Sequence, residues 1–382
     1  MENISEIYKA IFGIMPELTA SAPGRINLIG EHVDYNSGYV LPAAIDRHLF
    51  FAFGNVSSPS INIHAKNLEE SVEITFFEKR DNSKWANYFI GILKQLKIKG
   101  HNISGFNLVF GGNIPIGGGL SSSSALECGF LKILNQAYNL ELSHMEMIDI
   151  SRASNHNFIG LHGGIMDQFS ILNGKDGHAM LLNCETNIAK QISINLPRHD
   201  IILIDSKVPH ILVDSAYNDR VNECNKALNI IQQKYEKVKH LSMATKEQLA
   251  IVEKSMSEVL FKRAKFVIEE NLRVHQFCSA MASGNIGRIG KLLYASHAGL
   301  KNDYEVSCRE IDILINLANK SSRVIGARMI GGGFGGCTLN IIKSQNALSE
   351  ALKISSAYKA ITGIKSLVYV INIVDGVRAI ET

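Results

Sequence analysis

The chain has 382 residues, and at roughly 150 residues per domain this length predicts two domains. Hydrophobic residues make up 46% and charged residues 20% of the chain, a balance that is typical of a globular protein with a sizeable core. The net charge is +3 with both signs mixed along the sequence, which gives no indication of a nucleic-acid-binding arm. No apolar run approaches the ~20 residues of a membrane-spanning helix, and the N-terminus lacks a signal-peptide pattern.

The six cysteines are scattered, without CxxC pairs or metal-ligand spacing. Such cysteines are typical of reduced thiols rather than of a disulfide framework. We therefore expect a cytoplasmic protein, and the charge pattern and the lack of a membrane-spanning run predict neither nucleic-acid nor membrane partners. A monomer is also expected, although no sequence feature determines the oligomeric state.

Hydrophobic periodicity in the first half predicts strands and helices in mixed order. Residues 105–110, GFNLVF, alternate as in a half-buried strand, and residues 124–140 carry apolar side chains at helical spacing. Residues 143–160 begin with a capping box, Ser143 with Glu146, which predicts a helix as far as Gly160.

The second half continues the same mixture and contains a second glycine-rich loop. Strands are predicted at 178–184, 200–208 and 366–374, a long amphipathic helix at 213–238, mostly helical structure over 255–317, and two strands around the glycine loop within 323–342. This order predicts an α+β fold of two domains, residues 1–190 and 191–382.

The stretch NIPIGGGLSSSSALECG, residues 113–129, places glycines and serines between a predicted strand and a predicted helix. A flexible linker does not usually lead straight from a strand into a helix. A helix N-terminus presents free N–H groups and the positive end of a dipole, and glycines allow the backbone to wrap around an anion. The sequence therefore predicts a phosphate-binding loop, with serine hydroxyls available to phosphate or a metal ion.

This loop is not a Walker A loop, because no Gly-Lys-Ser/Thr follows. The second glycine loop, residues 331–336, formally matches the GxGxxG dinucleotide fingerprint, but a strand-like run follows where a helix is required. A dehydrogenase therefore has little support. We expect this loop to be a tight turn lying against the nucleotide site, with a plain hairpin turn as the alternative.

The richest stretch is SAPGRINLIGEHVDYNSGYVLPAAIDR, residues 21–47. It places Arg25, Asn27, Glu31, His32 and Asp34 among apolar residues, so part of the segment should be buried. Buried charges must find partners, and this is an argument against a merely solvated surface turn. Carboxylate acceptors beside arginine, histidine and amide donors suit a polyhydroxylated ligand such as a sugar.

Three motifs carry a resemblance to a known family. GRINLIGEHVDYNSG resembles the galactokinase signature, and PIGGGLSSSSA and GGGFGGC resemble the second and third motifs of the GHMP kinases, which include galactokinase, homoserine kinase, mevalonate kinase and phosphomevalonate kinase. They occur in the family's order across nearly the whole chain. The resemblance implies a two-domain fold with the active site in the interdomain cleft. It also implies Mg²⁺-dependent transfer of the ATP γ-phosphate to the anomeric hydroxyl of galactose, giving galactose 1-phosphate.

The resemblance also implies site residues. Asp167 matches the proposed catalytic base and Arg25 the arginine beside it. Because an ion pair with Arg25 would weaken Asp167 as a base, an orienting role stays open as well. The sugar-binding positions are Glu31, His32, Asp34, Gly164 and Tyr217. The ATP-binding positions are Trp85 near the adenine and Gly117, Gly118, Gly119, Leu120, Ser121, Ser122, Ser123 and Ser124 in the phosphate loop, with Ser123 also at the magnesium ion.

The chain departs from the family at the metal position, where Asn155 replaces a glutamate. An amide oxygen binds Mg²⁺ directly or through water but brings no negative charge, so the metal is held more weakly or a neighbour compensates. Tolerated drift is the alternative, because Mg²⁺ arrives bound to ATP. Gly163 and Ile330 replace a common cysteine and threonine, and His156 and His162 are expected to be structural histidines.

Two other functions stay open from sequence alone. One is a kinase for a related sugar, N-acetylgalactosamine or arabinose. The other is a non-catalytic galactose sensor on the same fold. Asn155 favours the sensor, whereas the intact phosphate loop, Arg25 and Asp167 favour the enzyme.

Overall fold

The computed structural model describes residues 4–74, 81–208 and 213–381. The helices are α1 (Ile4–Phe12), α2 (Ala86–Ile98), α3 (Ser122–Ala137), α4 (His144–Ser154), α5 (Met166–Asn173), α6 (Val213–Gln232), α7 (Lys246–Val252), α8 (Glu258–Ala282), α9 (Ile286–Asn302), α10 (Arg309–Lys320) and α11 (Ala347–Thr362). The strands are β1 (Leu18–Asn27), β2 (Tyr39–Val40), β3 (Pro42–Asn55), β4 (Ile61–Ala65), β5 (Glu70–Ile74), β6 (Phe106–Gly112), β7 (His178–Asn183), β8 (Ile188–Ser193), β9 (His199–Asp205), β10 (Val324–Met329), β11 (Cys337–Lys343), β12 (Leu367–Val370) and β13 (Arg378–Glu381).

The α+β prediction is confirmed, and the elements flanking the glycine loops lie where the sequence places them. Strand β6 leads through the Gly/Ser loop into α3, and the second glycine loop joins β10 to β11. Both hydrogen bonds of the Ser143–Glu146 capping box are present at the start of α4. This helix ends at Ser154, and a π turn, Asn155–Ile159, follows before the left-handed Gly160 ends the segment.

The strands form three sheets within the described residues. A six-stranded sheet has the order β13-β1-β3-β6-β4-β5, a four-stranded sheet β10-β11-β9-β12, and a three-stranded sheet β2-β7-β8. All neighbouring strands are antiparallel except β4 and β6. Strand β13, near the end of the chain, returns to pair with β1. The domain boundary between residues 190 and 191 stays a prediction. Strand β13 belongs to the sheet whose other strands all come from the first half of the chain.

Strand β9 shows how the four-stranded sheet is buried on both faces. Ile201 and Leu203 pack into the core cluster that contains β1, β3 and α3. Ile202 and Ile204 point the other way, into the cluster formed with α6, α8, α10 and α11. Successive strand side chains alternate between faces, so a continuous apolar run fits a strand with a core on each side.

The fold brings the first motif and the phosphate loop together at one end of β1. The Arg25 N–H donates to the Leu120 carbonyl at 3.1 Å. A Cβ at Gly24 would lie 2.9 Å from the same carbonyl oxygen, so only glycine permits this approach. The strand that carries Arg25 is therefore in direct backbone contact with the loop that precedes α3.

A buried glutamate on α8 connects this end of β1 to the C-terminal helices. Glu270 is fully buried. Its Oε1 accepts from the Gly30 N–H at 3.0 Å and from Ser296 Oγ at 2.6 Å, and its Oε2 accepts from Arg273 Nε at 2.6 Å. Such a carboxylate is expensive to bury without partners, and here each oxygen has one. None of the helices within the described ranges is long and apolar enough to cross a membrane.

Removing this carboxylate should destabilise the fold much more than removing its neighbour. Glu270→Ala leaves Arg273 and the Gly30 N–H without their acceptor, and we expect a loss of about 3–5 kcal/mol in the free energy of unfolding. Glu269→Ala is the control, because this side chain is 24% exposed and its pairs, with Lys246 at 3.0 Å and with Arg273 at 3.5 Å, lie near the surface; its loss should stay below about 1 kcal/mol. Urea unfolding measures the free energy of unfolding of both variants. Equal losses would contradict the role of Glu270 in connecting the end of β1 to the C-terminal helices.

Candidate active site

A cleft of about 350 Å³ is lined by residues from both halves of the chain. Most residues predicted for the site line it. They are Arg25, Glu31, His32, Asp34, Gly117, Gly119, Leu120, Ser121, Ser122, Ser123, Ser124, Asn155, Gly164, Asp167 and Tyr217. The glycines of the loop between β10 and β11 complete the wall.

The predicted phosphate loop ends in a residue with an unusual backbone conformation. Ser121, immediately before α3, has φ 58° and ψ 47°, the left-handed region that non-glycine residues rarely adopt. Its hydroxyl does not cap the helix but donates to Asp167. The side chain of Ser121 therefore leaves the first N–H groups of α3 available to an anion. Backbone strain of this kind clusters at functional sites.

Arg25 and Asp167 form a bidentate ion pair. Nε donates to Oδ1 at 2.7 Å and Nη2 to Oδ2 at 2.8 Å, while Nη1 donates to the Gly119 carbonyl at 2.6 Å. Arg25 is 5% exposed. Burial alone would lower its pKa, but Asp167 and other nearby carboxylates raise the pKa above its ordinary value. A permanently charged guanidinium is thus fixed between a carboxylate and the phosphate loop.

Asp34, Gly164 and Tyr217 lie together in the cleft. A Cβ at Gly164 would fall 2.3 Å from Asp34 Oδ2, so the carboxylate occupies the space that any side chain would need. Burial, and next the charge of Asp167, raises the pKa of Asp34 to about 7. Burial also raises the pKa of Tyr217 well above its ordinary value, so its hydroxyl stays neutral. Asp34 therefore offers acceptor oxygens to a polar ligand, and the Tyr217 hydroxyl offers a donor.

Glu31 and His32 contact the glycine loop from the C-terminal half. Glu31 Oε1 accepts from the Gly331 N–H at 2.8 Å. Burial lowers the pKa of His32 to about 3, so the ring is neutral. Its Nε2–H then donates to the Gly332 carbonyl at 3.2 Å, and Nδ1 accepts from the Tyr35 hydroxyl at 2.9 Å. Both ring nitrogens are engaged, so a direct hydrogen bond from His32 to a sugar requires one of these bonds to exchange.

The loop between β10 and β11 is a hairpin turn that also packs on the phosphate loop. Gly331 has φ +77°, and a Cβ there would lie 3.0 Å from Gly119 Cα. The Cys337 N–H donates to the Gly118 carbonyl at 3.2 Å. The loop therefore lies against the predicted nucleotide site.

Two predicted ATP contacts do not line the cleft. The carbonyl of Gly118 accepts from the Cys337 N–H, so this part of the loop faces β11. Trp85 packs on Phe89 and Phe110, and its indole N–H donates to Glu70 at 2.7 Å. An adenine contact for Trp85 stays a prediction.

Asn155 lines the cleft beside a buried acid. Its Nδ2 donates to Glu127 Oε2 at 3.1 Å, and its Oδ1, buried, has no hydrogen-bond partner among the described residues. Within the same ranges there is no group of three or more histidine, cysteine, aspartate or glutamate side chains that could hold a metal. Mg²⁺ needs only one or two protein oxygens when it shares substrate phosphates and keeps its waters. The unpaired amide oxygen of Asn155 and the serine hydroxyls that line the same cleft are neutral oxygen ligands of the kind that Mg²⁺ accepts.

Family models match three parts of the chain. They are the galactokinase galactose-binding signature at residues 6–55, the N-terminal domain of GHMP kinases at 87–175, and their C-terminal domain at 277–360. The chain is 35% identical to the galactokinase of Limosilactobacillus fermentum over 98% of both chains. It is 37% identical to the galactokinase of Clostridium beijerinckii over the full length of both.

The chain belongs to the galactokinase family. A crystal structure of Lactococcus lactis galactokinase complexed with galactose superposes with a TM-score of 0.94 at 34% identity, covering 98% of each chain. Mevalonate kinase from Methanococcus jannaschii shares the fold, with a TM-score of 0.62 at 18% identity over 94% of this chain. The predicted α+β fold is therefore confirmed as that of the galactokinase family.

Sequence reasoning missed two buried charged residues behind the cleft. Arg328 donates from Nη2 to Glu31 Oε1 at 3.1 Å and from Nε to the Leu28 carbonyl at 3.0 Å. Glu127 lies behind Asn155. Each is a charged residue inside an apolar run, within VIGARMI or SALECGF, and this pattern is the signal that could have identified them.

Because the pKa of Asp34 is raised, replacing this carboxyl should stabilise the folded protein more at high pH than at low pH. The carboxyl has an ordinary pKa of 3.8 when unfolded and about 7 when folded, so the folded state binds the proton more tightly. Its contribution to stability is therefore lost as pH rises through 7. Asp34→Asn should raise the free energy of unfolding by about 1–3 kcal/mol more at pH 8 than at pH 5.

Urea unfolding without ligands at the two pH values measures this difference. The control is Asp149→Asn, which removes an exposed carboxylate on α4 and should act equally at both. If Asp34→Asn raises the free energy of unfolding equally at pH 5 and pH 8, the surroundings of Asp34 do not favour its neutral form.

Proposed function

We propose that the chain transfers the γ-phosphoryl group of ATP to the anomeric hydroxyl of galactose and releases galactose 1-phosphate and ADP. The observation that carries this proposal is the bidentate contact of Arg25 with Asp167, in a cleft that also contains the phosphate loop. Phosphoryl transfer depends mainly on alignment and charge stabilisation, and this arrangement supplies both.

Each group in the cleft has a chemical task in this proposal. The loop of residues 117–124 and the N-terminus of α3 bind the phosphates through N–H groups and hydroxyls. Arg25 stabilises charge on the moving phosphoryl group while holding Asp167 in place. Asp167 accepts a hydrogen bond from the C1 hydroxyl, and orients it or takes its proton. Asp34, Gly164 and Tyr217, with Glu31 and His32 behind them, form the sugar pocket.

Ser123 and Asn155 are the residues we assign to Mg²⁺. When bound, the ion would neutralise charge on phosphate oxygens that the protein alone leaves partly unbalanced. Both side chains line the cleft and both offer neutral oxygen ligands. The monomeric state and the cytoplasmic location expected from sequence stay predictions.

The reaction is tested by measuring ADP release with purified protein, ATP and Mg²⁺. The sugars are galactose, glucose, N-acetylgalactosamine and arabinose, with a reaction lacking sugar as the control. We expect release with galactose well above the other sugars. Release with another sugar alone would reassign the substrate. Absence of release with every sugar, accompanied by a galactose-dependent rise in melting temperature, would identify a sensor instead.

Asp167→Asn tests the central side chain. The amide keeps the shape but neither takes a proton nor forms the charged pair, so we expect kcat to fall by roughly 10²–10⁴-fold. Asp149→Asn, on the exposed face of α4, is the matched control and should leave kcat unchanged. Turnover of Asp167→Asn near that of the unmodified chain would exclude both the base role and the orienting role.

A further inference from the structure

A chain of hydroxyl and thiol groups leads from His32 into the C-terminal half of the protein. The Tyr35 hydroxyl lies 2.9 Å from His32 Nδ1 and 2.6 Å from the Tyr304 hydroxyl. Cys224 Sγ lies 3.1 Å from the same Tyr304 hydroxyl. Tyr304 is 0% exposed and Cys224 1% exposed. Buried polar groups are costly unless they are hydrogen-bonded, and here each has a partner in the chain.

The Gly332 carbonyl fixes the direction of the hydrogen bonds in this chain. A carbonyl only accepts, so His32 Nε2, 3.2 Å from the Gly332 oxygen, must carry a proton. In a neutral ring Nδ1 is then an acceptor, and the Tyr35 hydroxyl donates to it. That hydroxyl has only one proton, so Tyr304 donates to Tyr35, and the Cys224 thiol donates to Tyr304.

The surroundings of the His32 ring favour its neutral form. Three tyrosine rings enclose it, with centroids 4.9 Å away for Tyr304, 5.5 Å for Tyr217 and 5.9 Å for Tyr35. His32 is 4% exposed, and it forms no ion pair with an acid among the residues that the structure describes. A buried imidazolium without a paired acid is costly. Burial accordingly lowers the pKa of His32 to about 3.

The two nitrogens of the His32 ring have partners in different places. Gly332, the partner of Nε2, lines the cleft together with His32 itself, whereas Tyr35 and Tyr304 do not line it. The bond to Gly332 is therefore the one that a ligand in the cleft can replace. The backbone of His32 has φ 62°, a left-handed conformation that non-glycine residues rarely adopt and that clusters at functional sites.

We propose that Tyr35 and Tyr304 are positioning residues of the sugar pocket, an inference that rests on the proposed kinase function. They hold the His32 ring in the tautomer with its proton on Nε2. When galactose enters the cleft, one of its hydroxyl oxygens takes the place of the Gly332 carbonyl as the acceptor of this proton. His32 therefore serves the sugar only as a hydrogen-bond donor.

Galactose binding to the full chain, measured by calorimetry, tests the two tyrosines. Tyr35→Phe keeps the ring but removes the donor to His32 Nδ1, so we expect the dissociation constant of galactose to rise roughly 3- to 10-fold. Tyr304→Phe removes the donor to the Tyr35 oxygen and should cause a smaller rise, because hydrogen bonds in a chain strengthen one another. The dissociation constant of ADP should not change in either variant.

Tyr358→Phe is the matched control for the loss of a buried hydroxyl. Tyr358 is also 0% exposed, and its hydroxyl donates to the Ser206 carbonyl at 2.9 Å, outside the chain that leads to His32. This variant should lower the melting temperature as Tyr304→Phe does, but it should leave galactose binding unchanged. The comparison separates a general loosening of the fold from an effect on the sugar pocket.

The tautomer of His32 is observed by ¹⁵N NMR of histidine-labelled protein, with its signals assigned by their loss in His32→Gln. We expect Nε2 to have the chemical shift of a protonated ring nitrogen, and Nδ1 that of an unprotonated, hydrogen-bonded one, with and without galactose. In Tyr35→Phe the Nδ1 signal should move toward the position of a nitrogen whose lone pair is free.

The outcomes distinguish this proposal from the proposed function. A proton on Nδ1 of His32 at neutral pH, alone or together with one on Nε2, would overturn the proposal. A dissociation constant of galactose that Tyr35→Phe leaves unchanged, or that Tyr358→Phe raises equally, would also overturn it, and both results leave the kinase function standing. Failure of the unmodified chain to bind galactose, with the His32 tautomer as expected, would instead count against the proposed function.

Discussion

The paired contact of Arg25 with Asp167 is the interaction on which the arrangement of the cleft depends. It joins strand β1, which carries Arg25, to helix α5, which carries Asp167. The third donor of the guanidinium reaches the Gly119 carbonyl, and Ser121 reaches the same carboxylate. The acceptor side and the phosphate side of the proposed reaction thus share one charged pair. The side chain of Arg25 is 6% exposed and that of Asp167 29% exposed, so the bidentate contact fixes a carboxylate that is still open to the cleft, which suits a reaction governed by alignment.

The two halves of the chain meet around the first motif, and this explains why that motif is so dense in charge. Glu31 is bound from the C-terminal half by Arg328 and by the Gly331 N–H, and Gly30 by Glu270. Glu31 lines the cleft, whereas Arg328 and Glu270 are fully buried and hold the first motif in place without lining it. Glu31 and His32 contact the loop between β10 and β11, which packs against the phosphate loop, so both residues help to hold the wall of the proposed sugar pocket.

Local patterns in the sequence predicted the parts of the site that depend on local geometry. A glycine- and serine-rich stretch between a strand and a helix has few other uses, and the first motif places its polar groups within ten residues. Long-range partners could not be predicted this way. Arg328 and Glu31 are 297 positions apart, and the contact of Glu127 with Asn155 requires the packing of α3 against α4. Periodicity showed that these segments were buried but not which side chains would meet.

The position at which galactose is phosphorylated separates the proposed reaction from transfer to any other hydroxyl of the sugar. Galactose labelled with ¹³C at C1 is incubated with the protein, ATP and Mg²⁺, and the product is examined by ¹³C and ³¹P NMR. The proposed transfer to the anomeric hydroxyl predicts one phosphate ester, with ¹³C–³¹P coupling at the labelled C1 and no free anomeric hydroxyl in the product. An ester that keeps a free anomeric hydroxyl would place a different hydroxyl against Asp167 and would contradict the proposed reaction.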